Sequence, residues 1–163
     1  MNFIERRSEQ LLNEGLAAFG RGDIEKARDE FRASVNVRKT AEGLTYWGWM
    51  ESQLGHTERA IELCKDAIVV DPEFGNPYND IGSYLVSMGR PEDSIPWFEA
   101  AIKAPRYEPR HFPCVNLAKV YLMRREYALA LHYFEEALEY APDDQSITSA
   151  IKALRDIVER SRH

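Results

Sequence analysis

GNPYNDIGSYLVSMGRPEDSIPWFEAAIKAPRYE, residues 75–108, carries small and large side chains in the order that two packed helices require. Gly82 stands where the helices must come closest and Gly89 where the chain must turn; Ser94, Phe98 and Ala101 follow as a small contact, a large filler and another small contact. Asn76-Pro77 opens the stretch as a cap followed by proline at the first helical position, where a missing amide does no harm. The pattern predicts a helix, a tight turn and a second helix. Pro96 falls inside that second helix and is expected to kink it, at about 3 kcal/mol unless packing of Trp97 and Phe98 offsets the loss.

The same order recurs on both sides. Gly15, Gly48, Gly82 and Ala118 form one column, Ala27, Ala60, Ser94 and Ala130 a second, Phe31, Cys64, Phe98 and Phe134 a third, and Ser34, Ala67, Ala101 and Ala137 a fourth. All four have successive spacings of 33, 34 and 36 residues. A fifth column, Gly22, Gly55, Gly89 and Arg125, keeps the spacings and loses its glycine at the last member. Self-similarity at this period is the mark of a stacked repeat array. On these columns, and on the closing Pro72 and Pro142, the chain resembles the tetratricopeptide repeat family. Where that family usually has a tryptophan, Leu44, Tyr78 and Cys114 stand instead.

The resemblance implies an all-α fold, a right-handed α-α superhelix of about nine helices in a single domain over residues 1–163. Its four repeats would lie at about 8–40, 41–74, 75–110 and 111–144, with a capping helix over about 144–160 whose Ile147, Ile151, Leu154 and Val158 hide the last apolar face. The opening helix is expected from about Asn2 to Phe19, with Phe3, Ile4, Leu11, Leu12, Leu16 and Phe19 making apolar contacts. Asp23 and Thr57 are read as caps of the second helices that follow them, and Asp71-Pro72 as a stop. Pro105, Pro109 and Pro113 should make the connector APRYEPRHFP stiff, and that connector resembles the one at the same join in bacterial members of the family.

Charge narrows the partners. The net charge is −6, and residues 42–108 hold the excess, with 12 acids against 5 bases. Nucleic acid and anionic membrane need the opposite sign, so neither is expected as a partner. No apolar run reaches the ~20 residues that span a bilayer. The start, MNFIERRSEQLL, places arginines and glutamates where a secretory peptide needs apolar residues, and the cytoplasm is the expected compartment. Cys64 and Cys114 stand 50 residues apart without a CxxC partner, and both fall at helix contacts, so they read as small buried apolar residues.

In the family, the first helices of successive repeats line a concave groove. Carried over by position, the groove here takes Glu9, Leu12, Asn13, Leu16 and Phe19 from the first repeat, and Glu42, Thr45, Tyr46, Trp49, Ser52 and Gln53 from the second. Asn76, Asn79, Asp80, Ser83, Val86 and Ser87 come from the third, and Phe112, Val115, Asn116, Lys119, Leu122 and Met123 from the fourth; Asn13, Leu16, Tyr46, Trp49, Asn79, Asp80, Ser83, Phe112, Asn116 and Lys119 are the expected peptide-binding residues. Aromatic anchors interleaved with amides suit a peptide segment, since an asparagine donates to and accepts from a backbone at once. The resemblance therefore implies a non-enzymatic scaffold or adaptor that binds another protein or a peptide, as a monomer or weak dimer and without a cofactor. Chaperone-binding members of the family clamp a C-terminal carboxylate with Lys, Asn and Arg; at the matching positions this chain has residues such as Tyr46, Asn76 and Asp80, and Asp80 would repel that ligand.

Two other readings compete. Size, acidity and the EPRHFP connector are similar to those of tetratricopeptide chaperones for type III secretion translocators, whose clients are hydrophobic. An enzyme would need a nucleophile, a base and an orienting group together. His56, His111, His132 and His163 are scattered, and only His111 with Cys114 and His132 with Glu136 fall one turn apart.

Overall fold

The computed structural model describes all of residues 1–163 and contains nine helices. They are α1 (Phe3–Gly20), α2 (Ile24–Val37), α3 (Ala41–Gln53), α4 (Thr57–Val70), α5 (Asn76–Ser87), α6 (Pro91–Lys103), α7 (His111–Met123), α8 (Tyr127–Tyr140) and α9 (Gln145–Arg160). α1 pairs with α2, α3 with α4, α5 with α6 and α7 with α8, and each hairpin packs onto the next through α2–α3, α4–α5 and α6–α7. α3 also touches α5, and α5 touches α7, so the first helices of successive hairpins form an inner layer. The result is the expected all-α, right-handed superhelix, with α9 packed on α8 as its end.

Each hairpin turns in the same way. Gly22, Gly55 and Gly89 have φ of 78°, 87° and 77°, a region open to glycine and strained for other residues. One residue later a backbone amide reaches back five positions to the first helix: Asp23 to Ala18, His56 to Glu51 and Arg90 to Leu85, at 3.0, 2.8 and 2.9 Å. The fourth turn keeps the bond, Glu126 to Tyr121 at 2.9 Å, although Arg125 must then sit at φ 59°. A left-handed non-glycine residue costs about 1–2 kcal/mol.

The small residues of the columns set the helix separation. A Cβ on Gly82 would lie 2.5 Å from Cε1 of Phe98, and one on Gly15 would lie 2.6 Å from Cε1 of Phe31. Both rings are fully buried, so neither can swing aside into solvent. Ser34 occupies its column for a second reason: its hydroxyl donates to the Ser8 carbonyl at 2.7 Å and ties α2 to α1. The largest core cluster joins α6 to α9 through Phe98, Leu117, Phe134, Ile147, Ile151 and Leu154. Cys64 and Cys114 are buried free thiols within helix contacts.

Three local expectations need correction. Phe3 and Ile4 are exposed, and Leu16 is at the edge of exposure, because α1 is the first helix of the stack and has no hairpin on its outer side. Thr57 is the first residue of α4 rather than its cap; His56 takes the cap position without a side-chain bond to the helix. Its Nδ1 instead lies 2.7 Å from Oε2 of Glu51. Likewise α5 begins at Asn76 with Gly75 as its cap residue. Pro96 lies inside α6, as expected, and faces solvent.

Candidate functional site

The inner layer carries a cavity of 270 Å³ between α3, α5 and the start of α7. α3 lines it with Glu42, Thr45, Tyr46 and Trp49, α5 with Asn76, Asn79 and Asp80, and α7 with Phe112. The two connectors complete the wall with Phe74, Tyr107 and Pro109.

Packing behind the cavity fixes its aromatic rings. Tyr46 stacks on Phe31 with centroids 5.2 Å apart, and Trp49 leans on Phe19 at 4.5 Å. Both are half-buried, one side committed to the neighbouring hairpin and the rest turned to the cavity. Phe112, from the first turn of α7, is half exposed at the rim, and its ring lies 4.3 Å from that of His111.

The connectors are held to each other across a single bridge between Phe74 and Arg106. The Gly75 amide donates to the Arg106 carbonyl at 2.9 Å, and the Arg106 amide donates to the Glu73 carbonyl at 3.1 Å. Gly75 has to be glycine here, since a Cβ would stand 2.5 Å from Cβ of the buried Tyr107. The Arg106 guanidinium lies 5.2 Å from the Phe74 ring centroid, donates to Asp71, and reaches Oε1 of Glu42 at 3.4 Å from outside the cavity. Arg110 fastens the far end of the second connector by donating to the Ile102 carbonyl at 2.6 Å.

Asp80 is the electrostatic centre. It is half-buried, and burial pushes its carboxyl up to about 7, with the neighbouring Asn79 amide drawing it only part of the way back. No basic side chain acts on it. Its negative field in turn raises the hydroxyls of Tyr84 and Tyr107, after burial, the larger cause for both. By contrast Glu51, on the opposite side of α3, is fully served: burial pushes its carboxyl up, but bonds from His56 and Trp47 and the charge of Arg28 outweigh that and hold it below its ordinary value.

The residues expected in the groove divide into groups. Tyr46, Trp49, Asn79, Asp80 and Phe112 meet in the 270 Å³ cavity. Ser83, Asn116 and Lys119 line an adjoining apolar cavity of 140 Å³ with Val86, Phe98, Val120 and Met123. Asn116 links the two, its Nδ2 donating to Oδ1 of Asn79 at 3.0 Å, so each of these amides spends one bond on the other. Asn13 lies in an open depression on α1 with Arg6, Glu9 and Gln10, and Leu16 lines neither cavity. Phe74, Tyr107 and Pro109 are additions from outside the first helices. Their signal in the sequence was the pair of aromatic residues set among Gly and Pro at each hairpin junction, FGNP and PRYEP, which a search by repeat column passes over.

No three His, Cys, Asp or Glu side chains converge as a metal site would require. No helix is long and apolar enough to cross a membrane. The cavity offers rings, amides and two carboxylates.

Comparison with known proteins agrees with the repeat reading. The family model for the tetratricopeptide repeat matches residues 76–107 and again residues 112–144. Small glutamine-rich tetratricopeptide repeat-containing protein 2 of Mycosarcoma maydis is 26% identical over 100 residues, 60% of this chain. The chain spans 28% of the length of that relative. Among solved structures, pilF of Pseudomonas aeruginosa superimposes with a TM-score of 0.87 at 20% identity, covering 98% of this chain and 72% of that one. MamA from Desulfovibrio magneticus RS-1 gives a TM-score of 0.73 at 16% identity, over 94% of this chain and 86% of that one. These likenesses concern the fold. With its columns of small and large residues, its four left-handed turns and two matched repeats, the chain carries tetratricopeptide repeats.

Proposed function

We propose that the chain is a non-enzymatic scaffold that holds a segment of a partner protein in the groove between α3, α5 and α7. The observation that carries this reading is the meeting of Tyr46, Trp49, Phe112, Asn79 and Asp80 around one cavity on the inner layer. Rings held from behind lose little freedom on binding, which is what makes aromatic side chains effective anchors. The adjoining cavity under Ser83 and Lys119 extends the contact along α5 and α7 for a segment longer than one residue. An acidic middle section with 12 acids against 5 bases favours protein over nucleic acid as the partner. We assign the cytoplasm as the working compartment, where two buried free thiols stay reduced.

The test is capture of partners from the native host by the wild type beside two variants. Tyr46→Ala/Trp49→Ala/Asn79→Ala removes the walls, and Phe112→Glu/Lys119→Glu alters exposed positions without opening the core. Circular dichroism melts establish that each variant is folded. Loss of the same partner from both variants supports the groove, and equal retention by both transfers the binding face elsewhere.

A further inference from the structure

Resting on the groove reading above, we propose that the 270 Å³ cavity is the seat for an arginine side chain of the bound partner segment. Three observations point to a guanidinium. First, the lining contains five aromatic side chains and two carboxylates, Glu42 and Asp80, and no lysine or arginine. A purely apolar occupant would leave Asp80 shut away without a counter-charge, and an anionic one would be repelled. Second, Asp80 lacks any cation of its own, and burial has already raised its carboxyl toward neutrality. A site that withdraws a carboxylate from water and leaves it unpaired is prepared for a positive group.

Third, the rim already shows the chemistry with a residue of the chain. Arg106 lies over Phe74 at 5.2 Å while donating to Asp71 and reaching toward Glu42. A guanidinium fits this company better than an ammonium, because its flat face stacks on a ring while its edge donates to a carboxylate. Inside the cavity Trp49 and Phe112 supply rings and Asp80 supplies the acceptor. Arg106 pairs from outside and leaves Asp80 open, so the inner seat is a second position of the same kind.

The experiment uses the 15N-labelled full chain at pH 8 and three capped tripeptides, Ac-Ala-Arg-Ala-NH2 and its lysine and citrulline versions, in NMR titrations. Citrulline keeps the shape of arginine and removes the charge. The expected result is saturable shifts at the Trp49 indole N–H and at the amides of residues 76–80. Binding should weaken about tenfold on changing arginine to citrulline or on Asp80→Asn, with Glu42→Gln weaker by a smaller factor, as for loss of one charge-assisted contact. Lysine should bind less tightly than arginine. Equal binding of citrulline and arginine overturns the proposal, as does equal binding of lysine, or arginine shifts confined to other surfaces. These outcomes leave the groove reading intact as long as the partner captured by wild type is lost from Phe112→Glu/Lys119→Glu. Retention of that partner by Asp80→Asn at wild-type strength overturns the arginine seat alone.

Discussion

Asp80→Asn is expected to make the chain more stable, and the gain should depend on pH. In the folded chain burial holds the Asp80 carboxyl at about 7, against an ordinary value of 3.8. The folded state therefore keeps a proton that the unfolded state has released, and this stabilises the fold fully below pH ~4 and is lost as pH rises through ~7. A difference of about 3 pKa units at about 1.4 kcal/mol each gives a ceiling of ~4 kcal/mol for the penalty above pH 7. Asp80 is only half-buried and water reaches the mouth of its cavity, which brings the expected value to ~1–2 kcal/mol. For a chain of this length that is a rise in Tm of about 2–8 °C. Asparagine has the shape of aspartate and no charge to bury.

The ionisable groups around Asp80 are Glu42 and Tyr46 on α3, Cys64 on α4, Tyr84 on α5 and Tyr107 on the connector, and burial drives Cys64, Tyr84 and Tyr107 upward, away from the working range. Melts of both proteins followed by circular dichroism from pH 4 to pH 8 measure the effect. The curves should converge near pH 4 and separate by pH 8, with the variant higher. A variant that melts at or below wild type at pH 8, or an advantage unchanged across the range, would refute the reasoning. A residue that weakens the fold at neutral pH while facing an open cavity is where binding and stability trade against each other.

Other outcomes follow from the packing. Gly82→Ala should lower stability by about 1–3 kcal/mol and Gly82→Leu by more, because the added carbon meets the fully buried Phe98 ring at 2.5 Å; an unchanged denaturation midpoint would contradict the helix register. Arg125→Gly should raise stability by about 0.5–1 kcal/mol in urea titrations, since it relieves the left-handed strain at φ 59° that the other three turns avoid. Glu51→Ala should cost about 1–3 kcal/mol, as it strands the half-buried Trp47 indole N–H and leaves the His56 ring without its partner while Arg28 keeps Asp29, whereas Glu58→Ala on the exposed face should cost little.

The stack was legible in the sequence because helix packing imposes residue size at fixed spacing. Gly15 over Phe31 and Gly82 over Phe98 admit no side chain, so the columns survive wherever the separation must be kept. The fourth turn reads less clearly: Arg125 adopts the conformation of its glycine equivalents under the hold of the Glu126 to Tyr121 bond, which only the surrounding fold supplies. The ends obey a different rule. Phe3 and Ile4 follow helical spacing yet face solvent, because periodicity tells which residues share a face and leaves open whether a neighbour covers it.

The site was legible where it lies on the first helices. Tyr46, Trp49, Asn79, Asp80 and Phe112 come from the groove-facing positions of the first helices, Tyr46 and Asp80 from the same one, and meet because α3, α5 and α7 are adjacent. Asn13 and Leu16 hold the same positions on α1 but lie away from that cavity, at the open start of the array. The connector wall could not be read from the columns. It depends on the bridge between Phe74 and Arg106 and on Tyr107 lying against Gly75, contacts about 30 residues apart that belong to no repeat position.

The most direct measurement places a photoreactive phenylalanine analogue at position 112, on the rim of the groove, or at position 69, where Val69 is 83% exposed on the outer helix α4. Irradiation in the native host, followed by mass spectrometry of the crosslinked species, reads which face the partner touches. The account predicts a partner crosslinked from position 112 and absent from position 69; the same partner crosslinked from position 69 and absent from position 112 would contradict it.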